Sequence, residues 1–232
     1  MQALIEMLEA IGVFLAGVVA RIGIFLAMIA VLLVPALLVA AVLHGIAARR
    51  ERRLGIRDVA GVPFRPDLFY SPGHLWLHRR AGGTVEVGLD GLAQRLMPSV
   101  TSVEVARPGT AIARGEPLVT LHGGGRALVI PAPVGGKVAG LNVAVARDPG
   151  LVKREGYGRG WLVAVEPEDL GYAAMPHGET AEAWMRHEAG RWNQFVERRL
   201  GFAAADGGAL VAPAPWLLGD EGWRALAAEF IH

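Results

Sequence analysis

The sequence predicts a mainly β domain, a flattened barrel or sandwich, with one membrane helix before it and a helical extension after it. An uncharged apolar run covers residues 22–43, and short runs rich in Val, Leu and Ala recur between residues 65 and 170. Beyond residue 177, apolar positions recur at helical spacing. We therefore divide the chain into residues 1–21, 22–47, 48–64, 65–170 and 171–232.

The composition agrees with a membrane-attached domain and excludes several kinds of site. Hydrophobic residues make up 53% of the 232 residues, which is high for a domain that is entirely in water. The formal net charge is +1, so no global field favours nucleic acid as a partner. Cysteine is absent, which excludes disulfides, thiolate metal sites and cysteine nucleophiles.

The apolar run from Ile22 to Leu43 predicts a transmembrane helix. At 1.5 Å per residue it spans roughly 33 Å, enough to cross the hydrocarbon core of a bilayer, and Pro35 predicts a mild kink. The basic stretch "ARRERR" at residues 48–53 follows it. By the positive-inside rule, we expect a single-pass protein of the inner (cytoplasmic) membrane whose C-terminal domain is cytoplasmic.

The alternative for this run is a cleaved signal peptide. Such a peptide begins with basic residues, whereas the charges before Arg21 are those of Glu6 and Glu9. Residues 1–21 keep the helical pattern, which predicts an amphipathic helix at the membrane interface or an extension of the span. Residues 48–64 are interpreted as a basic linker.

The region from residue 65 to residue 170 has the pattern of a small all-β domain. Gly, Pro and Asp interrupt the apolar runs about every eight to twelve residues, as turns do. One short helix is expected at residues 91–97. The predicted strands are 75–80, 84–89, 99–105, 117–122, 127–132, 137–143 and 161–167.

Several motifs in this region occur in the order found in one protein family. They are "YSPGHLWL", "VEVGLDGLAQRLM", "VARPGTAIARGEPL", "APVGGKVAGLNVAVARDPGLV" and "GYGRGWLVAV". In this set the chain resembles the glycine cleavage system H protein, a lipoyl carrier with the biotinyl/lipoyl-domain fold. The resemblance implies a barrel-sandwich domain whose surface meets partner enzymes.

The family attaches lipoate to a lysine at a hairpin tip, eight residues before the proline of a Pro-Val-x-Gly turn. In this chain that turn begins at Pro133, so the lysine position is occupied by Gly125. Its neighbours are His122, Gly123, Gly124 and Arg126. A guanidinium stays protonated and cannot replace the attacking amine. We therefore expect no lipoyl cofactor, with lipoate on a displaced Lys137 or Lys153 as the alternative.

Other chemistry finds little support in the sequence. The string "HGGGR" at residues 122–126 precedes a strand, whereas a phosphate-binding loop precedes a helix, and the G-x-S-x-G of esterases is missing. His74 and His78 share one face of a strand but lie about 13 Å apart, too far for one metal ion. We expect a structural role for His74 near Trp76, no metal site and no enzymatic activity.

The extension, residues 171–232, contains four of the six tryptophans. A helix is predicted over residues 178–201 with Gly201 as its C-cap, and a second over residues 219–232 with Asp220 as its N-cap. Trp184, Trp192, Trp216 and Trp223 either pack on the β domain or form a docking surface. The residue pattern leaves both interpretations open.

The function that fits these observations is that of a non-catalytic, membrane-anchored adaptor. The lipid bilayer, through Ile22 to Leu43, and a protein or membrane complex are the expected partners. We expect His122, Arg126, Trp184 and Trp192 to contact the protein partner. The alternative function is a membrane-tethered lipoyl carrier of a glycine-cleavage-like or redox complex.

Overall fold

In the computed structural model, residues 2–200 and 218–232 are described. The chain divides into two units, Met1–Arg53 and Leu54–His232, which are considered separately here. Gly201 and Trp216, which the sequence analysis assigned to a helix cap and to the tryptophan set, lie outside the described residues.

The first unit is one helix, α1 (Gln2–Arg53). It contains a segment, Ala20–Val42, that is long and apolar enough to cross a bilayer, and none of this segment is buried. This agrees with the predicted span in length and composition, which a signal sequence shares. The predicted division at residue 21 is not seen, because the helix is continuous there and through Pro35.

The second unit begins with a hairpin where the sequence analysis placed a linker. Strands β1 (Arg57–Val59) and β2 (Val62–Phe64) pair in antiparallel fashion. The turn between them uses positive φ angles at Ala60 and Gly61. Because Val59, Val62 and Phe64 are buried in the core, residues 57–64 belong to the folded domain, and the linker prediction is wrong for them.

Two antiparallel sheets form most of this unit. The larger has six strands in the order β3-β4-β5-β11-β10-β7, and the smaller has three in the order β6-β8-β9. The strands are β3 (Phe69–Tyr70), β4 (Leu75–Arg79), β5 (Val85–Leu89), β6 (Ser102–Val105), β7 (Ala111–Ile112), β8 (Pro117–Gly123), β9 (Arg126–Pro131), β10 (Gly136–Leu141) and β11 (Val163–Pro167). The predicted β domain is confirmed as a set of antiparallel sheets, which this unit combines with helices. The described strands form separate sheets around a shared core, not one continuous hydrogen-bonded barrel.

Short helices connect these strands. Helix α2 (Ala93–Leu96) lies within the predicted segment 91–97. Helices α3 (Val143–Arg147) and α4 (Leu151–Arg154) were not predicted. The side chain of Asn142 accepts hydrogen bonds from the backbone N–H groups of Ala144 and Val145, which caps α3 and ends the predicted strand 137–143 at Leu141.

The C-terminal extension contains a 3₁₀ turn (Gly171–Ala174) and helices α5 (Glu179–Leu200) and α6 (Gly219–Phe230). Both predicted helices are thus present. Asp220 is not the N-cap, since Leu218 holds that position and Asp220 lies in the first turn. Met185, Trp192 and Phe230 belong to the same core as the sheets, so the predicted boundary at residue 170 does not separate two units.

We predict that Trp192→Ala lowers the free energy of unfolding of the second unit by about 3–5 kcal/mol, because the indole is fully buried and its removal leaves a large cavity. Urea unfolding of Leu54–His232 followed by circular dichroism measures the change. The matched control is Leu170→Ala, at a side chain that is 65% exposed, for which the change stays within about 0.5 kcal/mol. Equal effects of the two substitutions would contradict the burial of Trp192.

Candidate functional site

The glycine hairpin is the tip formed by residues 122–127, where β8 turns into β9. Gly123 and Arg126 are the last pair of the ladder, which leaves Gly124 and Gly125 as the turn. Their φ angles are +58° and +75°. Two successive positive φ angles are typical of a type I′ turn, the tight turn that glycine favours. The backbone conformation at positions 124 and 125 therefore favours glycine.

Packing explains two of the three glycines. A Cβ atom on Gly123 would lie 1.8 Å from the carbonyl oxygen of Ser99, and one on Gly124 would lie 2.8 Å from Cγ of Pro98. The segment Pro98–Val100 thus lies directly against the tip. A Cβ atom on Gly125 would meet nothing within 4 Å. Gly125 is therefore the one glycine of the three whose missing side chain leaves open space.

Helix α2 leads into Pro98–Val100, and its C-terminal carbonyl groups are held from two sides. The Lys153 ammonium donates hydrogen bonds to the carbonyls of Gln94 (2.7 Å) and Met97 (2.5 Å). The indole N–H of Trp223 in α6 donates to the carbonyl of Leu96 at 2.7 Å. These three bonds satisfy carbonyls that a helix end otherwise leaves without partners. They also fix the segment that covers the glycines.

The two basic side chains of the hairpin, Arg126 and His122, each lie beside a carboxylate. Arg126 forms an ion pair with Asp220 at 3.1 Å, and its guanidinium carbon lies 5.3 Å from the ring centroid of Trp223. Nε2 of His122 lies 3.2 Å from a carboxylate oxygen of Glu104. Because the Arg126 guanidinium faces Asp220 and is mostly covered, the hairpin surface does not present it as an unpaired positive charge. A docking partner would gain little from electrostatic steering here.

A shallow cavity of about 420 Å³ surrounds the open side of the tip. It is lined by Thr101 and by residues 122–127. On this side Gly124 and Gly125 are exposed and His122 is half-buried. The Arg126 side chain is only 14% exposed because α6 covers it. The most accessible residues of the hairpin are thus Gly124, Gly125 and Ala127, with His122 half-buried beside them.

The two tryptophans proposed as partner contacts are not at the surface in the way the sequence analysis expected. Trp192 is fully buried against Phe230, with their ring centroids 5.1 Å apart, so it cannot touch a partner and that prediction is wrong. Trp184 is half-buried, and its ring lies 5.2 Å from His74 and 6.1 Å from Tyr70. The packing interpretation is confirmed for Trp192 and for the buried Trp223.

A buried charge cluster under α5 was missed by sequence reasoning. Nδ1 of His74 lies 2.7 Å from a carboxylate oxygen of Asp90, and Nε2 lies 3.5 Å from Glu188. Burial alone would lower the pKa of His74, but the charge of Asp90, its hydrogen bond and Glu188 outweigh burial and raise the pKa to about 9. Trp76, the neighbour expected for His74, instead donates its indole N–H to the carbonyl of Gly156.

Asp90 also holds the start of α2. Its second carboxylate oxygen accepts hydrogen bonds from the backbone N–H groups of Leu92 and Ala93, both at 2.9 Å. The signal in the sequence was an aspartate just before a short helical segment, which is typical of a cap. Its pairing with a histidine 16 residues earlier and a glutamate on a distant helix had no local signal.

Metal ligation has no support in the described part of the chain. Residues 2–200 and 218–232 contain no group of three or more His, Cys, Asp or Glu side chains placed to hold an ion. His78 faces Glu86 at 3.9 Å and Arg80 binds the same carboxylate at 2.8 Å. These contacts are those of a sheet surface.

Comparison with known proteins assigns the domain. The family model "Glycine cleavage H-protein" matches residues 68–187, which is half of the chain. The chain belongs to the glycine cleavage H-protein family. Helix α1, the β1–β2 hairpin and everything from Glu188 onward lie outside the matched residues.

Individual H proteins show the same relationship. The glycine cleavage system H protein of Thermus thermophilus is 34% identical over 105 residues, which are 45% of this chain and 81% of that protein. H protein 3 of Aquifex aeolicus is 29% identical over 154 residues, 62% of this chain and 94% of that protein. A crystal structure of the Mycobacterium marinum H protein covers 53% of this chain and 99% of its own, with 23% identity and a TM-score of 0.47.

Neither lysine of this H-protein family member lies in the glycine hairpin. Lys153 lies on α4, and its half-buried side chain reaches the C-terminal end of α2. Burial, followed by the charge of Arg95, lowers the pKa of Lys153. Lys137 is exposed on β10, in the six-stranded sheet, where its cross-strand neighbours are Ala111 and Glu166. The hairpin belongs to the three-stranded sheet.

We predict that Gly123→Ala destabilises the second unit by about 1–3 kcal/mol, because the new methyl group overlaps the backbone of Ser99. The control is Gly140→Ala on β10, where a Cβ atom meets nothing within 4 Å and the change is within about 0.5 kcal/mol. Urea unfolding of both variants tests this. A neutral Gly123→Ala would show that Pro98–Val100 does not cover the tip.

Proposed function

We propose that this chain is a membrane-anchored member of the H-protein family that carries no lipoyl group and acts as a non-catalytic adaptor. The observation that carries the proposal is the glycine hairpin. Its turn is built from Gly124 and Gly125 with positive φ angles, and no amine is present on it. A family domain without a reactive arm can still offer its surface to a partner.

The chemistry of lipoate attachment supports this. Forming an amide requires an amine that loses a proton and attacks an activated acyl group, which a lysine can do and an arginine cannot. Gly125 has no side chain, and the guanidinium of Arg126 is also held by Asp220 and Trp223. The amine of Lys153 is occupied by two carbonyl groups.

The surface available for docking follows from the same contacts. Helix α6 covers one flank of the hairpin through Arg126, which leaves the flank with Thr101, His122, Gly124 and Gly125. Glycines without side chains permit close approach of another backbone. The relatives' names place them in the glycine cleavage system, so a protein of such a system is the partner class we propose.

A second function remains supported by Lys137. This lysine is exposed, and its amine is available for acylation in a way that Lys153 is not. A carrier modified at Lys137 would present its arm from the six-stranded sheet, away from the hairpin strands. Modification at that position separates the carrier from the adaptor.

Intact-mass measurement of the full chain from lipoate-competent cells tests the adaptor. We expect the unmodified mass for the wild type. Gly125→Lys restores an amine at the open position of the tip, so we expect it to gain one lipoyl group where the attachment enzymes still recognise the domain. Gly125→Ala is the matched control and gains none. A lipoyl adduct on the wild type that disappears in Lys137→Arg would establish the carrier instead.

Anchoring is supported by α1 alone. The segment Ala20–Val42 has the length and composition of a bilayer span, and the arginines at 49, 50, 52 and 53 follow it on the same helix. Such a basic stretch is typical of the cytoplasmic side. We therefore propose an inner-membrane anchor with Leu54–His232 in the cytoplasm.

The absence of cysteine permits a direct test of this topology. Ser102→Cys places one thiol on the exposed position of β6 in the β domain. A membrane-impermeant maleimide should leave it unlabelled in intact spheroplasts and label it after permeabilisation. Wild type, which has no thiol, is the control for non-specific labelling. Labelling before permeabilisation would overturn the orientation, and recovery in the soluble fraction without residues 1–53 would identify a cleaved signal.

A further inference from the structure

The buried charge cluster consists of Asp90 at the end of β5, His74 before β4 and Glu188 on α5. His74 is completely buried, Asp90 likewise, and Glu188 is 5% exposed. The backbone at His74 has φ +60°, unusual for a residue with a side chain, and its N–H donates to the carbonyl of Ser71 at 3.1 Å. The ring is thus hydrogen-bonded to Asp90 through Nδ1, while the buried Nε2 faces Glu188 at 3.5 Å without meeting hydrogen-bond geometry.

Each carboxylate also accepts hydrogen bonds from, or lies against, further donor groups. Asp90 accepts the two backbone N–H groups at the start of α2. Glu188 receives Arg191 at 2.8 Å and lies 3.2 Å from Nδ1 of His187. Burial raises the pKa of Glu188, but the hydrogen bonds to His74 and His187 and the charge of His74 outweigh burial, so its pKa is lowered.

The remaining surroundings of the ring are apolar or do not change charge near neutral pH. The ring of Trp184 on α5 lies 5.2 Å away and that of Phe230 on α6 lies 5.4 Å away. Burial raises the pKa of Tyr70 and of Tyr157, and the charge of Asp90 raises each further. Arg95 also faces Asp90, and Arg191 bridges to Glu229 of α6 at 2.5 Å.

We propose that His74 is a protonation latch that strengthens the attachment of α5 to the β domain while its imidazole carries two protons. A doubly protonated ring donates toward both Asp90 and Glu188. A neutral ring has one N–H, so if that group stays on Asp90 the lone pair of Nε2 faces the carboxylate of Glu188. Two anions then share one buried site with no cation between them, which favours separation of α5.

The latch joins residues that the H-protein family model matches with residues beyond the match. His74 and Asp90 lie within the residues that the H-protein family model matches, while Glu188, Arg191 and Phe230 lie beyond them. Release of α5 would uncover the side of the β domain on which Tyr70 and His74 lie. The inference does not depend on the adaptor function or on membrane anchoring.

The sign of the pH dependence follows from linkage. The pKa of His74 is raised in the folded protein to about 9 from its usual 6.5. The stabilisation it provides is complete below pH 6.5 and is lost as the pH rises through about 9. Acidification does not open the latch through His74.

Hydrogen exchange followed by mass spectrometry on the full chain in detergent micelles tests the latch between pH 7 and pH 10, with rates corrected for intrinsic exchange. We expect protection of the α5 amides to fall by about tenfold or more over this range, while β4 and β5 stay protected. In Glu188→Gln the second carboxylate is gone and a neutral ring is tolerated, so the loss of protection should disappear.

His187→Gln is the matched control, because His187 contacts the same carboxylate from the solvent side with a side chain that is 71% exposed. It should retain the pH dependence of the wild type. Wild type decides the question even where Glu188→Gln does not fold. Protection of α5 that is constant to pH 10, or that is lost together with β4 and β5 in one global transition, overturns the proposal.

Discussion

One buried carboxylate, Asp90, connects His74 with the start of helix α2. One of its oxygens pairs with His74, and the other caps the start of α2. Helix α2 then carries Pro98–Val100 onto the glycine hairpin. Since a buried charge is costly unless its hydrogen bonds are complete, the placement of Asp90 fixes both the helix start and the imidazole. The hairpin surface thus depends on a group far from it in sequence.

The C-terminal helices cover parts of the surface of the β domain. Helix α6 supplies Trp223 to the end of α2 and Asp220 to Arg126, and helix α5 supplies Glu188 to His74. Through these contacts, α6 covers one flank of the hairpin and α5 covers the β domain next to β4. The flank with Thr101 and His122 is the side of the hairpin that these helices leave open.

Much of the fold could be predicted from the sequence because its signals are local. Alternating apolar runs and turn residues located seven of the strands, and helical spacing located α5 and α6. The strands of residues 57–64 were missed because three-residue strands are too short for a periodic signal. The candidate site was harder to predict from the sequence. The burial of Trp192 and the pairing of His74 with Glu188 arise from contacts between segments that are distant in the chain. The sequence also did not show that the backbone of Ser99 excludes a side chain at Gly123, because that contact joins segments that are distant in the chain.

The chain contains few lysines that could form an amide with a lipoyl group. Lysine supplies two of the 23 basic side chains, and the rest are arginines, which keep the charge but cannot form an acyl amide at neutral pH. Of the two lysines, Lys153 donates its ammonium hydrogen bonds to two carbonyls at the end of α2. Lys137 alone has an exposed amine in the β domain. The domain thus keeps the architecture of a carrier while nearly all its cations are of a kind that cannot be loaded.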